Sequence, residues 1–518
     1  MTDQREHIAL SPELEAVVSR AAAAAPVLAG TAPEQRARAL VAIADALEAA
    51  KPCLVEIAAR ETGLTEARLT GEVTRTAVQL RLFADEAVDG DYAGARIDPA
   101  DADFVLGARP DIRRAHFPLG PVINFSASNF PFAFSVMGGD SASIIAAGCP
   151  LIVKAHEGHP ELSDATAEIA TAAIASAGLP AGAFQLIHGR EAGVAVLRDP
   201  RIAAGAFTGS IPGGRALADI AASRPAPIPF FGELGSMNPV FITAAALAER
   251  AEGIAAGYLT SVSGSAGQLC TKPGIVFVPE GSGFTEAVAA AAAAADGLAE
   301  HRLLGPRIAA AFAARRDAVL AAPGVRAVVP GALRFDADEQ GWAAATIASV
   351  PLAELRASAD ALVEEAFGPL SIIVEVPEGT DLAALVPELF EGNLSGTVHL
   401  GGEEAAGASE NVAELQALVA ALGRQSGRVL FDGWPTGVAV TPAQQHGGPW
   451  PATTNDANTS VGTSAITRFL RPVAFQNAPA AFLPDVLRDD NPRGVAQTVS
   501  PAGASRSWGS RWALPATA

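Results

Sequence analysis

The feature that most limits how this chain can fold is a double series of short apolar runs set between helical stretches. The first series is PVINFSAS (121–128), LIVKAH (151–156), FQLIHG (184–189) and AAGAFTGS (203–210). The second is PVFIT (239–243), GIVFVP (274–279), SIIVEV (371–376) and GTVHLG (396–401). Runs of this length read as buried strands, and the Ala-rich sequence between them reads as helix. Strands that alternate with helices make parallel sheets covered on both faces, with ligands at the carboxyl ends of the strands. The expected fold is therefore α/β: a doubly wound, Rossmann-like cofactor domain followed by a second α/β domain.

The remaining sequence fits around that frame. A chain of 518 residues is too long for one core, so two or three domains are expected. From Ser11 to about Leu82 apolar residues recur at three and four, which predicts amphipathic helices, the first capped by Ser-Pro-Glu. Residues 101–116 are Arg-rich and alternating and read as an extended hairpin. We assign 1–100 and 117–234 to the nucleotide domain and 235–440 to the second domain. The Ser-, Gly- and Pro-rich end, 497–518, is expected to be a flexible tail.

Composition excludes several classes. Much of the 49% hydrophobic content is alanine, and no stretch reaches the ~20 strongly apolar residues of a bilayer span. No membrane association is expected. The net charge of −20 repels nucleic acid, so no nucleic-acid partner is expected either. MTDQREHIAL has none of the parts of a secretory signal, and three cysteines are few; both predict a reducing cytoplasm. His156 and His159 make a loose pair with no Cys/His cluster around it, so no metal is expected.

Chemistry enters with SGSAGQLCTKPG (263–274), which sets Cys270 among small residues. A thiolate in an open bend can attack a carbonyl carbon, although a lone cysteine is more often packing. FFGELGSMNP (230–239), with Glu233, precedes it, and EEAFGPL (364–370), with Glu365 and Phe367, follows. In that order the three segments resemble the aldehyde dehydrogenase superfamily, and the resemblance runs from about Leu10 to Arg493.

The resemblance implies NAD(P)-dependent oxidation of an aldehyde to a carboxylate. That reaction needs a nucleophile to make the carbon tetrahedral, an oxyanion site, a dinucleotide pocket and a base to hydrolyse the thioester. Cys270 is the nucleophile candidate. Asn129, after the first strand, and the Cys270 N–H are the oxyanion donors. Glu233 is the base candidate, in a GELGS that departs from the family's ELGG only at Ser236. FTGSIPGG places Gly209, Ser210 and Gly213 at a helix amino terminus, where backbone N–H groups can meet a pyrophosphate. Lys154 ends a strand where an ammonium meets the adenosine ribose or a 2′-phosphate. Glu157 would bind the ribose hydroxyls and disfavour that phosphate, and Arg190 would offset it, so NAD and NADP both remain open as cofactor. Glu365 and Phe367 match the residues that hold the nicotinamide ribose and pack near its ring.

The sequence from Gln445 to Pro479, followed by LPDVLRDDNPRG, resembles the branch containing α-ketoglutaric semialdehyde (2,5-dioxovalerate) dehydrogenases and an NADP-dependent fatty aldehyde dehydrogenase. The expected substrate is a small-molecule aldehyde, α-ketoglutaric semialdehyde first. A fatty or other aliphatic aldehyde is the alternative, with Phe130, Phe132 and Phe134 either lining a tunnel or lying in the core. A non-catalytic binding protein that keeps the fold is the alternative of another class. Lys272 stands where a less basic residue is expected, close in the chain to Cys270. The family also implies a homodimer or homotetramer, with 101–116 and 466–480 as the β element that joins subunits.

Overall fold

The computed structural model describes residues 10–295 and 298–512. Four helices open the chain: Pro12–Ala29, Pro33–Ala49, Lys51–Thr62 and Glu66–Asp89. The Ser11 hydroxyl accepts from the Leu14 N–H at 3.3 Å, and Pro12 fills the first helical position, where its missing N–H costs nothing. The fourth helix buries Leu69, Val73, Ala77, Leu80 and Ala84 on one stripe, at the three-and-four spacing of a core-facing helix. Its neighbouring stripe carries Arg68, Glu72, Arg75 and Gln79.

The first apolar series becomes a five-stranded parallel sheet. Its order is Phe184–Ile187, Leu151–Lys154, Val122–Phe125, Ala204–Thr208, Phe230–Glu233. Val122–Phe125 has a later strand on each side, so the winding reverses there. A switch point of this kind opens a crevice at the carboxyl end of the sheet. Asn129, Lys154, Gly209 and Glu233 all lie at or just beyond that end.

The second series supplies four of the six parallel strands of a seven-stranded sheet; Thr346–Pro351 and Ser426–Phe431 add two that the apolar runs did not mark. In order the seven strands are Arg326–Val329 (antiparallel), Thr346–Pro351, Leu370–Val376, Ile275–Pro279, Val240–Ile242, Asn393–His399 and Ser426–Phe431. Its five inner strands are almost wholly buried, as strands covered on both faces should be, and Phe241 stacks on Phe277 at 4.7 Å. After the last strand the chain returns to the first sheet: Leu234 N–H donates to Ala452 O at 2.8 Å, and Glu233 bridges Thr453. The returning segment therefore lies between the two sheets.

A third, small sheet gathers segments from outside these two. Ala95–Asp98 pairs with Ile112–Pro118, which pairs in turn with Leu470–Gln476. It joins a small separate sheet rather than the nucleotide domain assigned to residues 1–100. The expected flexible tail is placed as far as Trp512. Gln497–Val499 runs parallel to Ala95–Asp98, Gly503 N–H donates to Asp101 Oδ2 at 2.8 Å, and Trp508 packs edge-on against Phe104 at 5.7 Å. Its small residues serve tight turns and close strand pairing; 513–518 lie outside the described residues. No helix among the described residues is long and apolar enough to cross a membrane.

Candidate active site

The loop that carries Cys270 is set by a left-handed turn. Ser265, Ala266 and Gly267 have φ of 53°, 55° and 65°, a conformation costly for the first two residues and easy only for glycine. A side chain at Gly267 would come within 2.4 Å of the Gly368 backbone, so glycine is required there. Asn238 pins the far side. It is fully buried, and its Nδ2 donates to the carbonyls of Cys270 (2.8 Å) and Lys272 (3.0 Å). Its Oδ1 accepts from the Ser395 N–H (3.2 Å) and the Ser236 hydroxyl (2.9 Å). One side chain thus ties the nucleophile loop to the strand after Glu233 and to the second sheet.

Glu233 and His446 converge on the sulfur, with Asn129 bonded to the same loop. Asn129 is buried and donates one Nδ2 hydrogen to Gln268 O, two residues before Cys270, at 3.0 Å, which leaves its second hydrogen free. The Cys270 N–H has no partner among the described residues. Glu233 ends its strand fully enclosed rather than on a solvent loop. His446, 1% exposed, stands between them: its Nε2 is 3.7 Å from Cys270 Sγ and 2.9 Å from Glu233 Oε1. The nitrogen meets the thiol in hydrogen-bond contact. It meets the carboxylate at ion-pair distance but off the hydrogen-bond direction, so Oε1 keeps an unshared lone pair. The other oxygen accepts from the Ser460 hydroxyl.

Sequence reasoning missed His446. It lies in the returning segment QHGGPW, where Thr459 Oγ1 accepts from its N–H at 2.8 Å. The signal was a histidine followed by two glycines and a proline, a polar ring on a tight backbone. Ser460 was missed with it.

Electrostatics divide the labour. Loss of water around the sulfur, then the charges of Glu233 and Glu365, push the Cys270 thiol well above its ordinary value; Arg75 opposes them. The resting nucleophile is a thiol, so a base is needed. Burial alone would raise the Glu233 carboxyl, but the charge and proximity of His446 and the Ser460 hydroxyl outweigh it and hold the carboxyl low. Glu233, Cys270 and His446 could together also hold a metal ion, a possibility that the expectation of no metal did not consider.

The predicted nucleotide residues fall into two groups. Glu365 and Phe367 lie on the Cys270 side. Gly235 leaves room for that approach, since a Cβ there would meet the end of the Glu365 side chain and make it shift. Burial raises the Glu365 carboxyl to about 7, against the charge of Lys272, whose own pKa burial lowers to about 8. Lys272 Nζ donates to Leu370 O at 2.6 Å, so this ammonium turns away from the sulfur. Lys154, Glu157 and Arg190 form the second group at the end of the first sheet; burial lowers the Lys154 ammonium, and Glu157 and Arg190 are exposed. The helix Ile211–Ala222 starts beside them, but its amino terminus is less open than its glycines suggested. Ser210 Oγ accepts from the Gly213 N–H at 3.3 Å, and Pro212 has no N–H. The Ser210 hydroxyl and the Ile211 N–H are what remains for a phosphate. Gly209 N–H donates to Glu233 O at 3.0 Å, tying this loop to the base. These groups at the carboxyl ends of a switch-point sheet fit a dinucleotide.

Of the three phenylalanines, Phe132 is core. Phe130 and Phe134 pack edge-on at 5.4 Å, with Arg68 4.9 Å from the first ring and Arg75 5.3 Å from the second. Guanidinium groups meet this aromatic pair, and Val438, Val440 and Val461 pack in the same apolar cluster.

Residues 7–398 match the family model described as the aldehyde dehydrogenase family. The chain is 43% identical over 463 residues to alpha-ketoglutaric semialdehyde dehydrogenase 2 of Azospirillum brasilense, covering 89% of this chain and 86% of that protein. It is 40% identical over 472 residues to alpha-ketoglutaric semialdehyde dehydrogenase of Acinetobacter baylyi, covering 91% and 87%. The structure of aldehyde dehydrogenase 21 from Physcomitrella patens, in complex with the reaction product succinate, superposes with a TM-score of 0.73. At 21% identity, over 90% of this chain and 91% of that one, it shows a shared fold.

Proposed function

Because this chain belongs to the aldehyde dehydrogenase family, we propose that it oxidises α-ketoglutaric semialdehyde to 2-oxoglutarate with Cys270 as nucleophile and His446 and Glu233 as a paired base. The observation that carries the mechanism is the position of His446 Nε2, in reach of both Sγ and Oε1. The substrate rests on the two relatives at 40–43% identity.

His446 takes the thiol proton at Nε2, and the resulting imidazolium is paired with Glu233. The thiolate adds to the aldehyde carbon, and the oxyanion is held by the second Nδ2 hydrogen of Asn129 and the N–H of Cys270. NAD or NADP held at the site would supply the hydride acceptor, and loss of hydride from the tetrahedral carbon leaves Cys270 as a thioester. The pair passes its proton to solvent, then takes a proton from the water that attacks the thioester and releases the acid. Ser460 anchors one carboxylate oxygen and the other keeps a free lone pair, so Glu233 can reach the thioester through one water.

In this reading 117–234 bind the nucleotide and 235–440 supply the nucleophile. Glu365 and Phe367 hold the nicotinamide end, and Ser210 with Ile211 meets the pyrophosphate. Lys154 and Arg190 set two positive charges against Glu157 around the adenosine ribose, so NADP is accepted along with NAD. Leu470–Gln476 lies at the open edge of the small sheet, and Leu106 and Trp512 nearby in sequence to its parts are 87% and 77% exposed. A strand edge and exposed apolar groups support homodimer or homotetramer assembly through this element.

Initial rates with α-ketoglutaric semialdehyde, succinic semialdehyde and a long-chain aldehyde, each with NAD and NADP, test the assignment. The highest kcat/KM is expected for α-ketoglutaric semialdehyde; equal values for all three would remove the substrate assignment.

A further inference from the structure

The guanidinium of Arg75 is without a counter-ion in a place where one is needed. Among the described residues it makes no hydrogen bond or ion pair, its Nη1 is buried and unpartnered, and the Phe134 ring lies 5.3 Å away. Phe134 also packs edge-on against His446 at 6.3 Å, and His446 touches Cys270. The aromatic ring therefore spans from Arg75 to the catalytic imidazole.

The neighbouring charges leave Arg75 in excess. Glu72, one turn before it, is committed to the loop: its Oε1 accepts from the N–H groups of Phe132 (2.9 Å) and Ala133 (3.0 Å), and its Oε2 lies 3.6 Å from Arg68. Arg68 also donates to Asn129 O at 2.6 Å, while its Nη1 is buried and unpartnered. Two guanidiniums thus share one carboxylate, inside a chain whose net charge is −20. Arg428, another cation near Cys270, differs: its terminal nitrogens are occupied by the carbonyls of Gly437 and Pro435. Burial lowers the Arg75 pKa, and the charges of Glu72 and Glu233 offset only part of that loss.

We propose that Arg75, supported by Arg68, is the anion subsite that receives the carboxylate of an α-keto acid aldehyde while its aldehyde carbon lies at Cys270. The assignment rests on the functional reading above and deepens it. A planar guanidinium with a free edge suits a carboxylate, which can take two parallel N–H bonds. The apolar ring between the two ends suits the short methylene link of a five-carbon substrate.

The test compares 2,5-dioxopentanoate with pentanal, a five-carbon aldehyde without the carboxylate, in wild type, Arg75→Met and Arg75→Lys. The ratio of the two kcat/KM values is expected to fall about 50-fold in Arg75→Met, through KM for the keto acid, and less in Arg75→Lys. If both substrates lose equally, or if the main change is a raised pH midpoint for alkylation of Cys270, Arg75 serves the thiol and the subsite is wrong. Glutarate provides a second readout in the wild-type protein. It is expected to slow alkylation of Cys270 by iodoacetamide, and to lose that effect in Arg75→Met or, should that variant not fold, to lose part of it in Arg75→Lys. A wild type with no preference for the keto acid over pentanal would overturn the substrate reading alone, whereas absence of glutarate protection would overturn the subsite.

Discussion

Replacing His446 with Gln keeps an amide of similar reach beside Glu233 but removes the base that faces the sulfur. The structure sets the expected cost. Enclosure and the two carboxylates push the Cys270 thiol well above its ordinary 9.0, so about one molecule in a hundred, or fewer, is ionised unaided at pH 7. General-base assistance is commonly worth about 10²–10⁴-fold, and the 3.7 Å separation from Nε2 permits it. We expect kcat/KM of His446→Gln to be at least about 100-fold below wild type at pH 7. The sign with pH follows from the same thiol: its thiolate fraction rises about tenfold per pH unit below its pKa, so the deficit should narrow steadily as pH is raised. Alkylation of Cys270 by iodoacetamide should show the same trend without turnover. The variant should also lose about 3 kcal/mol of stability, because Glu233 remains buried without its partner, measurable by chemical denaturation. Activity within threefold of wild type at pH 7, or a pH profile parallel to wild type, would refute His446 as the base.

Three further outcomes follow from the geometry. Asn129→Ala should lower kcat about 100-fold, the usual cost of one oxyanion donor, with little change in KM. Glu365→Gln should raise the KM for the nucleotide about tenfold by weakening a charge-assisted bond. Since folding raises this carboxyl to about 7, its ionised form costs stability, and the cost sets in as pH rises from its unfolded value through 7. The Gln variant should therefore have a melting temperature at pH 8 no lower than wild type. Cys149 is buried, and enclosure raises its thiol to about 11. Brief iodoacetamide treatment followed by peptide mass spectrometry should label Cys53 and Cys270 and spare Cys149.

The strands were legible because their environment is uniform: a strand buried on both faces must be apolar along its length, and such runs stand out between Ala-rich helices. Asn129 and Glu233 stood out as candidates because each ends or follows such a strand, and Cys270 because it stands just before one, all in motifs of small residues. His446 was not, since it is 176 residues beyond Cys270 in the chain and reaches it on an irregular segment with no periodicity to place it. Arg75 was hidden for the opposite reason. Its helix has a regular amphipathic pattern, and a charged residue one step from the buried stripe reads as solvated until the loop carrying Phe130 and Phe134 is seen to cover it. The amino terminus of Ile211–Ala222 shows how local chemistry changes a reading: the glycines suggested open N–H groups, but the Ser210 cap and Pro212 remove two of them.

The central claim is that Cys270 carries the acyl group and that Glu233 with His446 releases it. The most direct measurement is the mass of the Cys270 peptide after rapid mixing of Glu233→Gln with aldehyde and nucleotide, followed in parallel by the absorbance of the reduced nucleotide. The account predicts a burst of one reduced nucleotide per site, an acyl adduct on Cys270 and steady turnover slowed at least about 100-fold. An unmodified Cys270 after the burst, or an adduct on Cys53 instead, would contradict it.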